Sequence, residues 1–143
     1  MTDIAEAPSI LSCNPLIEAV DTVPKGHVRI ATAFRYPDGS TVDLFVAGRH
    51  GLLPGIGPLT LTDFGNTLLW LDRLDIRPLT SARLRTLMED VLQTHGITHV
   101  GGALCCTVDI DDLLSGIIRL GQACIRVADL VFTQCTPEQG SVA

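Results

Sequence analysis

Residues 61–71 read LTDFGNTLLWL, and the hydrophobic period changes inside them. Pro58 to Thr62 carries the alternation of a short strand, whereas Phe64, Leu68, Leu71 and Leu74 fall at helical spacing. Asp63 stands at the change. Its carboxylate can accept hydrogen bonds from the free amides of a first helical turn, and Gly65 relieves crowding where that turn crosses the sheet. A capped strand-to-helix corner accounts for every residue of the motif, and is preferred here to a catalytic Asp63.

Upstream, Val28, Ile30, Thr32 and Phe34 share one face of an alternating run, as do Val42, Leu44 and Val46. Between them YPDGS is a turn, in which Pro37 presets φ and Gly39 takes the left-handed conformation. A β-hairpin follows, continued in antiparallel fashion by Pro58–Thr62 after the Gly/Pro-rich connection GRHGLLPGIGP. Nearer the N-terminus, Asn14 as N-cap and Pro15 as first helical residue predict a short helix ending before Pro24.

Downstream, Leu84, Leu87, Met88, Val91 and Leu92 repeat at i, i+3, i+4, i+7 and i+8. Thr80 is the expected N-cap, Leu79 and Leu84 form a hydrophobic staple, and Gly96 ends the helix. ITHVGGALCCTV resumes strand character, with Gly101-Gly102 marking a bulge or a close backbone approach. Asp109 is the expected N-cap of a last, very apolar helix, with Asp111 and Asp112 at the positive end of its dipole. That helix is either enclosed between sheet and helix or covered by a second copy, making a homodimer through residues 109–132.

The fold expected is α+β: a three-stranded antiparallel sheet, a helix pair, a further strand, and a long apolar C-terminal helix packed on the sheet. Residues 13–132 form a single domain, with flexible tails at 1–12 and 133–143. At 143 residues a single core can bury about 68% of the unfolded surface, so disulfides are not required. Cys13, Cys105, Cys106, Cys124 and Cys135 are an odd set without a signal peptide, read as reduced thiols in a cytoplasmic protein. No run of 18 apolar residues predicts a membrane span.

The formal charge of −6 argues against nucleic acid as a direct electrostatic ligand. The acids are too scattered for a nucleic-acid mimic. Adjacent Cys105 and Cys106 point to opposite strand faces and so do not converge on a metal with His95 or His99; no metal or cofactor is expected. Asp38, Asp43 and Asp63 are the set a nuclease would use on a divalent cation, but Asp38 belongs to a turn and Asp43 to a polar strand face. Arg73, Arg77, Arg83 and Arg85 form a basic segment, with an Arg85–Glu89 ion pair expected at i+4. Arg73, Arg77 and Arg83, with the loop residues Arg49 and His50, are the candidate partner-binding residues.

Taken together, IATAFRYPDGSTVDLFV, LTDFGNTLLWLDRLDI, RLRTLMEDVLQTHGI and LLSGIIRLGQACIRVADL resemble the small bacterial and phage family catalogued as domain of unknown function 1828, over about residues 27–132. This chain has Ala33 where that family often has Pro, and Phe64 where it often has a second Asp, which weakens a paired-carboxylate reading. The resemblance implies a fold and a setting among phages and mobile elements, with no activity attached. Two expectations follow. The favoured one is a non-enzymatic interaction protein binding a host or phage protein, such as an inhibitor of a host defence system, anti-CRISPR-like or otherwise, or a small regulator. The alternative is a metal-dependent enzyme acting on nucleic acid or nucleotide through Asp63, with Asp43 as its partner.

Overall fold

The computed structural model describes residues 14–23, 27–47 and 58–134. Strands β1 (Ile17–Thr22), β2 (Val28–Arg35), β3 (Thr41–Ala47) and β4 (Leu59–Thr62) are followed by helices α1 (Asn66–Asp72) and α2 (Ala82–His95). Then come β5 (Thr98–Val100), β6 (Ala103–Val108), a 3-10 turn at Ile110–Asp112, helix α3 (Leu113–Ala128) and a 3-10 stretch at Asp129–Gln134. The expected tails at 1–12 and 133–143 lie outside the described residues, apart from Thr133 and Gln134, which belong to the last 3-10 stretch.

The six strands form one antiparallel sheet in the order β1-β2-β3-β4-β6-β5. Two of them correct the sequence reading. The expected leading helix is instead β1, because Asn14 and Pro15 build a β-turn: the Ile17 N–H donates to the Asn14 carbonyl at 3.0 Å and the Leu16 N–H to Asn14 Oδ1 at 2.9 Å. Asn at the first position and Pro at the second suit a turn as well as a helix start, and Ile17 and Val20 gain partial burial by pairing beside β2. The expected single strand after α2 is a hairpin, since Gly101 (φ 59°) and Gly102 (φ 89°) supply the two left-handed positions of a two-residue turn.

The alternation reaches the core as expected. Val28, Ile30, Thr32, Val42, Leu44, Val46, Leu59, Leu61, Leu104, Cys106 and Val108 are buried. α3 lies across this face over β2, β3, β4 and β6, with α1 and α2 also against it. The helix comes close to the sheet because two of its residues lack side chains: a Cβ at Gly116 would sit 2.7 Å from Val108 Cγ1, and one at Gly121 would run into the Phe34 ring. Enclosure by sheet and helices accounts for the apolar circumference of α3 within one chain. Its outward stripe is Ser115, Gln122 and Arg126.

Two caps differ from expectation. Ser81, not Thr80, caps α2, its hydroxyl accepting from the Leu84 N–H at 3.3 Å, while the Thr80 hydroxyl donates to the Arg77 carbonyl. The offset is one residue, because a three-residue turn at Pro78–Thr80 delays the helix. At Asp109 the side chain makes no capping bond; its carbonyl accepts from the Asp112 N–H at 2.9 Å, closing the 3-10 turn that precedes α3. Among the described residues no helix is long and apolar enough to cross a membrane.

Candidate functional site

Asp63 follows the last residue of β4 and has no exposed surface. Its Oδ1 accepts from the Gly65 N–H at 2.8 Å and the Leu104 N–H at 2.9 Å; its Oδ2 accepts from the Thr67 N–H at 3.1 Å and, longer, from the Cys124 thiol at 3.9 Å. An ionised carboxylate has about four lone-pair sites, and here each faces a donor. The Asp63 N–H also donates to the Leu104 carbonyl at 3.1 Å. One side chain therefore ties the end of β4 to the first turn of α1, to β6 and to α3.

The surrounding groups are held protonated. Thr67 Oγ1 lies 2.9 Å from the Tyr36 hydroxyl, and both are buried. Burial, with the neighbouring Cys124 and Asp63, pushes the Tyr36 phenol above its ordinary range. Burial, then the Asp63 charge, does the same to the Cys124 thiol. A thiol pushed toward its protonated form is a poor nucleophile but a stable donor, which is the use made of it here.

The other aspartates lie elsewhere. Asp43 is on the sheet face away from α3, where its Oδ2 accepts from Arg29 Nε at 3.1 Å; its Oδ1 has no partner among the described residues. Asp38 is in the hairpin turn. It accepts from the Ser40 N–H and hydroxyl and from Trp70 Nε1 at 3.0 Å, and these bonds hold its carboxyl down at about 2. The set of three does not converge, and no group of three or more His, Cys, Asp or Glu able to hold a metal occurs among the described residues. Cys106 faces the core, where burial raises its thiol, while Cys105 is half-buried on the other face. His95, at the end of α2, has its ring 3.0 Å from Arg126 Nη1.

The basic segment has a different setting. Arg77 pairs with Asp72 at 2.8 Å and Asp75 at 3.1 Å. Arg73, Arg83 and Arg85 form no ion pair with any described residue, so the expected Arg85–Glu89 bridge is absent. Arg49 and His50 lie outside the described residues.

Beside Arg77 runs a mostly apolar groove of about 370 Å³. Leu68, Leu69, Ile76 and Leu79 line it, Asp72 and Arg77 stand with them, and the Gly101–Gly102 turn completes the lining. Leu69 is 46% exposed, and Leu74 and Val100, next in the chain to lining segments, are 49% and 69% exposed. Exposed apolar side chains gathered at one place mark an interaction surface more often than scattered ones do. The sequence reading found the arginines and missed the groove, whose walls come from residues 65–80 and 101–102. The only local signal for it was the apolar doublet Leu68-Leu69, both members of which could not face the core at once.

The family model described as Domain of unknown function DUF1828 matches residues 32–127, and the chain belongs to that family. Neither a curated protein nor a solved structure matches it.

Proposed function

We propose that this DUF1828 member is a small protein-interaction module, encoded by a phage or mobile element, that works by binding a host protein, as an inhibitor of a defence system or a regulator would. The observation that carries this reading is the state of Asp63. A catalytic or metal-binding carboxylate must offer a lone pair to substrate, proton or ion. The Asp63 oxygens have no exposed surface and are engaged by three backbone amides and a thiol. The groove beside Arg77 presents an exposed Leu69 among mostly apolar lining residues, which supports recognition of a macromolecule. The free thiols Cys105, Cys106 and Cys124 fit a reducing cytoplasm. Self-association through residues 109–132 has less support, because α3 already has the sheet and two helices against it.

Affinity capture from host lysate on the 143-residue chain, followed by identification of what is retained, tests the reading. One protein held in fixed proportion is expected. Turnover of a nucleic acid or nucleotide with Mg²⁺ or Mn²⁺, reduced in Asp63→Asn without loss of fold, overturns it.

A further inference from the structure

Strand β6 runs from Ala103 to Val108, but β5 pairs only with its first half, Ala103–Cys105. Continued in the same register, β5 would bring Gly96 opposite Thr107. Gly96 instead ends α2 in the left-handed conformation, its N–H turned back to the Gln93 and Leu92 carbonyls. The sheet edge at Cys106–Val108 is therefore left with no strand beside it among the described residues. Its backbone is directed outward at one residue. Leu104 turns its C=O and N–H toward the end of β4, where they meet the Asp63 N–H and carboxylate. By the alternation of an antiparallel ladder, Cys105 and Thr107 turn theirs the other way. The Thr98 hydroxyl reaches the Cys105 carbonyl on that side at 3.3 Å, whereas the exposed Thr107 has a donor and an acceptor pointing off the edge.

The two edges of the sheet differ. The far edge, β1, carries Glu18 and Asp21, and charges of this kind keep further strands away. Cys106-Thr107-Val108 has neither charge nor proline. A cavity of about 360 Å³ lies against it. Thr60 and Thr107 line it from the sheet face away from α3, Cys106 and Arg119 from the α3 side, and Gly96 and Thr98 at the β5 end. A hollow that wraps around a sheet edge has the form of a missing strand end. Among these described lining residues Arg119 alone is charged. Its Nη1 donates to the His95 carbonyl at 3.2 Å, and it forms no ion pair with any described residue, so most of its N–H donors are left for a ligand.

We infer that this edge receives the C-terminus of a partner polypeptide, its last residues added as a short strand antiparallel to β6 and its α-carboxylate held by Arg119. The direction follows from where the charge sits. β5 closes the slot at Thr98, so a chain laid along Thr107 meets it with one end. Run antiparallel to β6, that end is a carboxylate; run parallel, it is an ammonium. Arg119 lines the slot at that end, beside Gly96, and selects the carboxylate. Main-chain bonds to Thr107 add affinity without regard to sequence, and the guanidinium fork suits a carboxylate. At about 3.3 Å per residue the vacant edge takes about three residues. The cavity, near the lower limit of about 300 Å³ for ligand pockets, suits a chain end better than a folded surface. The inference rests on the interaction reading above and adds to it a contact separate from the groove beside Arg77.

Random peptides immobilised through their N-termini, presented once with a free C-terminal carboxylate and once amidated, test it on the 143-residue chain. Binding is expected for the free carboxylates alone. Affinity is expected to fall about tenfold in Arg119→Gln. It should fall less in Thr107→Pro, which removes the N–H directed off the edge and leaves the β4 ladder intact. Unchanged melting temperatures confirm the fold of both variants, and the amidated set tests the inference without any variant. Equal binding of amidated peptides, equal binding by folded Arg119→Gln, or no binding overturns it. The two readings fail separately. A captured protein retained equally by Arg119→Gln leaves the interaction reading standing and removes this site. Carboxylate-dependent peptide binding when lysate yields no partner removes only the interaction reading.

Discussion

The Asp63 corner and the groove beside Arg77 both use α1 and both include Gly65, yet they treat polarity in opposite ways. At the corner a carboxylate is enclosed in the core with a donor at each acceptor site. At the groove, Leu69 is exposed to solvent, and the two charged lining residues, Asp72 and Arg77, pair with each other. Burying a charge is costly unless hydrogen bonds replace its water, so the corner is explained by what it holds together. Apolar surface left exposed gains nothing from burial within the chain, so the groove needs an explanation outside it.

The largest expected effect tests the corner. Asp63→Ala strands three N–H groups, two of them in buried bonds, and the chain should lose about 3–5 kcal/mol in urea unfolding at neutral pH. Asp63→Asn keeps one oxygen for Gly65 and Leu104 but turns an amide donor toward Thr67, for a loss of about 1–3 kcal/mol. A neutral Asp63→Ala would remove the corner from this comparison. Next, Gly121→Ala forces a methyl into the Phe34 ring and should cost about 1–3 kcal/mol. If it is silent, α3 is not seated as described.

Smaller effects sharpen the groove side. Ser81→Ala should cost about 1 kcal/mol, whereas Thr80→Ala should stay within about 0.5 kcal/mol; the reverse order of melting temperatures would restore Thr80 as the cap. Arg83→Glu should make the protein more stable by about 0.3–1 kcal/mol, by matching the α2 dipole. A loss of stability instead would mark Arg83 as structural.

The smallest effect concerns pH. Burial and the Arg126 guanidinium hold the His95 imidazole below its ordinary value. The unfolded chain therefore takes up that proton first, from about pH 6.5, and stability should decline as pH falls through this value, levelling once the folded imidazole is protonated too. His95→Gln should flatten that part of the profile. Identical slopes in the two proteins would show that His95 titrates alike folded and unfolded.

Much of the corner was legible because its signals are local. The change of period at Asp63, the short polar side chain and the following glycine specify a cap in seven residues. Its third amide donor, from Leu104, and the Cys124 thiol come from distant segments and had no local trace. The β2–β3 hairpin and the α2 repeat were equally plain. Asn14-Pro15 misled because a turn and a helix start use the same two residues, and only pairing with β2 decides between them. Gly101-Gly102 was noticed, but whether two glycines bend a strand or reverse it depends on whether His99 and Leu104 find each other. The groove was invisible for the same reason on a larger scale.

One consequence follows from the place of α3 in the chain. Among the described residues it is the last α-helix in the chain, yet it covers the inner face of strands β2, β3, β4 and β6, so during translation the nascent sheet leaves the ribosome with its oily side bare. Folding cannot close until residues 113–128 have cleared the exit tunnel, and a message truncated before them would yield a chain for proteases and chaperones rather than a smaller working domain.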